Sequence, residues 1–405
     1  MTRAGIADLL DDAVATRRIV ALAGLPRVGR TLALRRWATT NGGVVVSHVR
    51  DGTGGLIVVD HVDEAGTTDI IERYRADDVA ECDTRYVIAP TNLNALHKLT
   101  SELTGAVATI TMPPVSLPDY IAERMPEIAP SGPIDDMAAA PEPTNRSQID
   151  LDEHWLRGGL PESHDIGPPH TSLAWRRGLI EDMIRRDYGR FGIAPGARIE
   201  DVLQTLANQN GGEFNRTKIS WMKGQEVNSV LHVLDRLGLT RTLENFPARS
   251  SSSIGKMQKI YIRDSGLLHA LLGIETVEQL RQHSSIGECW EGYAIEELIG
   301  AAGPGATPQF FRSDDGNEID LFLTFARSGQ SIAIECKTNP DADPRPGFWK
   351  ATDHLKPDDQ FIVHSGTVSR TSGSLPRLPL TDAVQRVMAR ARANHGERSR
   401  TKATR

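Results

Sequence analysis

The octapeptide "GLPRVGRT", Gly24 to Thr31, stands between the apolar run "RIVALAG" and a stretch from Thr31 to Ala38 that suits a helix. Glycine, four residues, glycine, a basic residue and a hydroxyl residue form a spacing that few folds accommodate. The glycines permit a tight turn. The backbone N–H groups at the start of the following helix can then cradle phosphate. That mechanism needs a strand before the loop and a helix after it, and both are present. Gly24, Gly29, Arg30 and Thr31 are therefore candidate nucleotide-binding residues, with the Thr31 hydroxyl suited to a Mg²⁺ position. Arg30 keeps the positive charge, but as a planar fork where such loops carry a lysine point charge.

Apolar runs alternate with helix-compatible segments over residues 18 to 120. "RIVALAG", "GGVVVSHV", "GLIVVDHV", "RYVIAPT" and "VATITMP" read as buried strands rich in Val and Ile. Such alternation predicts a parallel sheet covered by helices. In "LIVVDHVDE", Asp60 ends a strand where a metal-coordinating acid belongs. His61 occupies the next position, where a water-activating glutamate would stand, and Asp63 and Glu64 are out of register.

The 405 residues suffice for roughly two to four domains at about 100 to 200 residues each. No apolar run is long enough to span a bilayer, and the N-terminus reads as a short amphipathic helix rather than a signal peptide. The three scattered cysteines predict reduced thiols and a cytoplasmic setting. A net charge of -7 places any nucleic-acid contact on local patches.

The pattern divides the chain into a sheet domain over 1–125, a Pro-rich and acidic flexible linker over 126–150, and a helical, lid-like region over 151–198. A helix, a turn, two more helices and a wing follow over 199–264, the pattern of a winged helix–turn–helix, in which Arg216, Lys218 and Lys223 are placed to contact phosphates. An α/β domain spans 265–388, and 389–405 reads as a disordered basic tail.

Within the last α/β domain, "IGECWEGYAIEELIG" predicts a helix carrying Glu291, followed by strands bearing Asp320 and "IECK". Fourteen residues separate Asp320 from Glu335, and one separates Glu335 from Lys337. Strand alternation puts Glu335 and Lys337 on one face and Cys336 into the core. Asp320 and Glu335 are the candidate metal ligands, since paired carboxylates hold Mg²⁺. Lys337 is a candidate catalytic group for stabilising charge on a phosphate, and Glu291 can complete the cluster.

In order, "GLPRVGRT", "LIVVDHVD", "RYVIAPTNLNALHKLTSELTG", "PPVSLPDY" and "WLRGGLPES" resemble prokaryotic AAA-type ATPases that end in a C-terminal domain of unknown function (DUF4143 type). The resemblance spans Arg17 to Ala383 and departs from the family pattern at Arg30, His61, Pro90–Thr91, Ala106 and Asp119. All five positions bear on nucleotide chemistry or its sensing, so the resemblance implies ATP binding with slow or absent hydrolysis. "FFRSDDGNEIDLFL" and "IECK" are similar to PD-(D/E)XK nucleases of the archaeal Holliday-junction-resolvase type, over Gly287 to His364. Ile319 stands before Asp320 where those proteins often carry proline. The implied architecture is an AAA-like P-loop domain, a winged-helix-like module and a restriction-endonuclease-like α/β domain. The implied activity is nuclease-like action on DNA with Mg²⁺. A non-catalytic, nucleotide-responsive regulator or scaffold that binds a protein partner is the alternative.

Overall fold

The structure, a computed structural model, describes residues 3–49, 55–124, 145–188, 199–214, 219–222, 224–247, 257–372 and 375–401. The N-terminal helix α1 (Arg3–Thr16) leads into β1 (Ile19–Gly24), the glycine loop and α2 (Arg30–Thr40). Strands β2 (Val44–Val46), β3 (Leu56–Val62), β4 (Arg85–Pro90) and β5 (Val107–Met112) complete one sheet, with α3 (Glu64–Val79) and α4 (Leu93–Glu102) between them. All pairings in this sheet are parallel, in the order β2-β3-β4-β1-β5. The layout is that of a P-loop domain. It follows from the Val- and Ile-rich runs, which bury both faces of the central strands. Asp63 caps α3 by accepting the Gly66 N–H, and Asn92 caps α4 by accepting that of Ala95.

Helix α5 (Leu117–Arg124) precedes a helical middle of α6 (Asn145–Arg157), α7 (Pro161–Asp165), α8 (Pro169–Tyr188), α9 (Ile199–Asn208) and α10 (Gly224–Arg236). The antiparallel hairpin of β6 (Thr240–Glu244) and β7 (Gln258–Ile262) follows, then α11 (Ser265–Leu272) and α12 (Val277–Gln282). Helix α11 packs on α6, α8 and α9. Among the described residues of 199–262 there are two helices, α9 and α10, and the hairpin, where three helices and a wing are expected. Arg216, Lys218 and Lys223, the expected phosphate contacts, lie outside the described residues, as does 126–144 of the expected linker. The rest of that linker is helix from Asn145, because Leu151, Trp155 and Leu156 of α6 are buried in the core.

Helix α13 (Ile286–Ala302) opens the C-terminal domain. Its sheet contains β8 (Ala306–Arg312), β9 (Glu318–Phe325), β10 (Ser331–Lys337), β11 (Asp359–His364), β12 (Arg370–Ser372) and β13 (Leu375–Pro379), in the order β12-β13-β11-β10-β9-β8. Strands β8, β9 and β10 run antiparallel, while β10, β11 and β13 run parallel. Helix α14 (Pro346–Leu355) packs Phe348 and Ala351 on one face, with Phe322, Ala333 and Ile362. The other face, with Leu321, Ile334 and Cys336, belongs to the core shared with α13 and with α15 (Leu380–Thr401). The expected disordered tail is thus corrected, since α15 continues through it to Thr401. Val384 and Val387 anchor the helix, and the Ala- and Arg-rich sequence beyond them favours its continuation despite the charge.

Candidate functional site

The glycine loop has the expected strand–loop–helix setting. Gly29 takes φ 96° at the N-cap of α2, a left-handed conformation that suits glycine. Gly24 takes φ 144°, and a Cβ there would lie 2.7 Å from the Met112 carbonyl oxygen, so it also permits the close approach of β1 to β5. The Arg30 side chain turns to the sheet, where Nη1 donates to the Pro90 carbonyl at 2.6 Å. Thr31 sits in the first turn of α2.

Strand β3 carries an extra residue relative to β4 between Val59 and Val62. His61 adopts φ 56° within that bulge. Asp60 Oδ1 accepts the His61 backbone N–H at 2.9 Å, and Oδ2 lies 3.2 Å from His61 Nδ1. Asp60 Oδ1 is therefore engaged by its own neighbour, while Oδ2 is buried without a hydrogen-bond partner among the described residues and the imidazole is exposed. Beside the loop, a cavity of about 290 Å³ opens between α1 and α2, lined by Leu10, Gly29, Leu32, Trp37 and Met112.

The C-terminal candidates converge. Glu291, Asp320, Glu335 and Lys337 all line one cleft of about 970 Å³ between the hairpin, α13 and the β8–β10 edge. The ladder between β9 and β10 ends at Leu321–Ile334. One step beyond, Asp320 Oδ2 accepts the Cys336 N–H at 2.8 Å, so a carboxylate continues the ladder. The register of β9 slips against β8 at this point, which re-aims Asp320. Lys337 Nζ donates to Glu335 Oε1 at 2.6 Å, as alternation along β10 allows.

Burial lifts the Asp320 carboxyl to about 7; Glu291 adds to this, while Lys259 and the Cys336 N–H oppose it. Burial also lifts Glu335 to about 8, and Asp320 adds to that against the pull of Lys337. Both acids therefore sit where negative charge is costly.

Lys259 of β7 is a residue that sequence reasoning passed over. Its ammonium is buried, 2.7 Å from Glu318, 3.0 Å from Glu291 and 4.0 Å from Asp320. Tyr261, two residues on along β7, donates to the same Glu291 oxygen at 2.7 Å. Glu291 thus reaches the cleft, as expected, but turns to the hairpin. Among the described residues, no three His, Cys, Asp or Glu side chains converge as a ready ligand set. Glu291, Glu318, Asp320 and Glu335 share the cleft with two ammonium groups, Lys259 and Lys337, and two guanidinium groups, Arg312 and Arg345.

The "RGGLP" segment builds a junction between modules. Gly159 donates its N–H to Asp264 Oδ2 at 2.8 Å, and its carbonyl accepts the Val115 N–H at 2.7 Å. His154 bridges Val115 and Tyr293 at 3.0 and 2.8 Å. Helix α13 reaches three regions through its glutamates. Glu291 faces the cleft, Glu296 holds Arg241 and Arg263 of the hairpin region, and Glu297 accepts the Leu117 N–H of α5 at 3.0 Å.

Among the described residues, no helix is long and apolar enough to cross a membrane. Cys82, Cys289 and Cys336 are free thiols.

Residues 148–278 match a domain of unknown function (DUF8612), and residues 286–382 match a domain of unknown function (DUF4143). The chain is 30% identical over 242 residues to the uncharacterized protein Rv2008c of Mycobacterium tuberculosis and equally to Mb2031c of Mycobacterium bovis. These matches cover 59% of this chain and 52% of each relative, so the chain spans about half the length of the curated relatives it matches. Among solved structures, the Walker-type ATPase PABY2304 of Pyrococcus abyssi is similar at a TM-score of 0.42 and 13% identity, over 66% of this chain and 94% of that one. The STAND protein PH0952 of Pyrococcus horikoshii is similar at 0.26 and 9%, over 75% of this chain and 46% of that one. A five-stranded parallel sheet, laid out like that of a P-loop domain, precedes the segment matched to DUF4143.

Proposed function

We propose that this protein is an ATP-binding, AAA ATPase-like protein with little or no hydrolytic turnover, whose C-terminal cleft acts on DNA phosphodiesters with Mg²⁺. The observation that carries the reading is the meeting of Asp320, Glu335 and Lys337 in one cleft, with Asp320 fixed by the Cys336 N–H. Asp320 and Glu335 are the residues to hold Mg²⁺, because their mutual repulsion in a buried setting favours a shared cation. When bound, Mg²⁺ supplies positive charge and an activated water at the phosphate. The protein's own part is positional. Lys337 places an ammonium at the cleft edge, where it can stabilise developing phosphate charge. Arg312 and Arg345 also line the cleft and suit a phosphate backbone.

At the other end, the Gly29 turn and the N-terminus of α2 provide the phosphate cradle. The tether of Arg30 and the His61 bulge leave the loop without a lysine on phosphate and without a water-activating carboxylate after Asp60.

The test is incubation of the full chain with labelled single-stranded, duplex and branched DNA, with Mg²⁺ or Mn²⁺, with and without ATP. Metal-dependent cleavage lost in both Asp320→Ala and Lys337→Met supports the nuclease reading. Cleavage that persists in both variants, or is absent with every substrate, rejects it.

A second reading, a non-catalytic nucleotide-responsive regulator or scaffold for a protein partner, is favoured by Lys259, which already neutralises part of the acid cluster. In that case DNA stays intact, while ATP alters the protease-cleavage pattern of the full chain.

A further inference from the structure

We propose that Lys259 is a resident second cation of the C-terminal cleft: its ammonium stands in place of a divalent ion among Glu291, Glu318 and Asp320, and limits the cleft to one divalent ion, at Asp320 and Glu335. This rests on the reading of the Asp320–Glu335 pair as a cation site.

Three carboxylates from two elements surround one nitrogen, with oxygens at 2.7, 3.0 and 4.0 Å. A shell of carboxylate oxygens around one point is what a hard divalent ion requires, at the shorter distances of about 2.0 to 2.6 Å. Without a cation at that point, the three acids would repel one another in a buried setting, with Arg312, 3.8 Å from Glu318, offsetting only part of that.

The lysine comes from outside the C-terminal sheet. It lies on β7, within the segment matched to DUF8612, whereas all three acids lie within the segment matched to DUF4143. Its backbone is fixed on both sides, paired with Leu243 of β6 and bridged to Glu213. Its ammonium passes 5.5 Å from the Phe310 ring, so the stem is packed as well. Tyr261 then holds Glu291 on the hairpin side. The carboxylates keep the lysine charged. The hairpin thereby supplies part of the site's charge, and the cleft is complete only when the two segments are docked.

The experiment counts Mn²⁺ bound to the full chain by electron paramagnetic resonance and calorimetry, without nucleotide. Every protein carries Thr31→Ala, to remove a candidate metal ligand of the phosphate loop. Lys259→Met is expected to bind one Mn²⁺ more than the parent, and Lys259→Arg to keep the parent's count. Should circular dichroism show that Lys259→Met fails to fold, Lys259→Gln keeps a polar side chain there without the charge, leaves all three acids in place and is expected to show the same gain.

An unchanged count and affinity in the folded Lys259→Met or Lys259→Gln variant overturns the proposal. If the parent meanwhile binds one Mn²⁺ that Asp320→Ala abolishes, the Asp320–Glu335 reading survives that failure. A gain in Lys259→Met over a parent that binds none upholds the stand-in role of Lys259 and rejects the parent's cation site.

Discussion

Arg30 Nη1 lies 2.6 Å from the Pro90 carbonyl oxygen, which ties the basic residue of the glycine loop to the end of β4. A guanidinium held there points at the sheet rather than along the N-terminus of α2. Arg30→Lys should release it, and the compact ammonium can then reach phosphate. We expect ATP affinity to rise about tenfold, or ~1.4 kcal/mol, by calorimetric titration with Mg²⁺. Phosphate release should stay at background until His61→Glu is added. An unchanged Kd for Arg30→Lys would sink this account of the loop.

Gly159→Ala tests the junction. A Cβ at Gly159 would lie 2.4 Å from the Val115 carbonyl oxygen and 2.6 Å from Pro114 Cβ. Neither neighbour is the end of a flexible side chain, so the backbone must shift. A loss of about 2 to 4 kcal/mol is expected, read as a lower denaturant midpoint. A loss below about 0.5 kcal/mol, the range of an ordinary surface change, would contradict it.

Glu297 makes stability depend on pH. Burial lifts its carboxyl to about 8, against the pull of the Leu117 N–H. Because the folded value lies above the ordinary one near 4.5, the folded state holds the proton more tightly than the unfolded state. This contribution favours folding fully below about pH 4.5, weakens as pH rises to about 8 and is level above that. Glu297→Gln keeps an acceptor for Leu117 and removes the titration. Its stability relative to the parent should therefore grow between pH 5 and pH 8 in urea melts, and a gap that does not change with pH would refute the assignment.

Glu296→Ala should cost more than an ordinary ion-pair deletion. Glu296 is buried and bonded to both Arg241 and Arg263. Its removal strands two guanidinium groups, for about 3 to 5 kcal/mol. Thermal denaturation that leaves the variant within a degree of the parent would show that water takes over the role.

The parallel sheet was legible because its apolar runs carry the period of buried strands. "GLIVVDHV", "RYVIAPT" and "VATITMP" contain β3, β4 and β5. The Asp320, Glu335 and Lys337 grouping was legible too, since alternation and short separation along neighbouring strands fix which side chains meet. Lys259 was not legible. It sits in "GKMQKIYI", which reads as a loop feeding a strand, and it meets Glu318 only because the hairpin docks on β8 through Asn245 and Phe310. No periodicity records a contact of that kind. The bulge at His61 was hidden for a related reason, as one extra residue in β3 shows only against the register of β4. The helical tail was not legible because its charge and low apolar content mask the helix propensity of Ala and Arg.

The bond between Leu117 and Glu297 also has a consequence for biosynthesis, because its partners lie 180 residues apart. A nascent chain leaves the ribosome at roughly 5 to 20 residues per second. The start of α5 therefore waits on the order of 10 to 40 s for its carboxylate to be translated. Through that interval the P-loop domain has its own sheet in hand but lacks the acceptor that closes its last helix. Its completion is thus a late event of synthesis, timed by the arrival of α13.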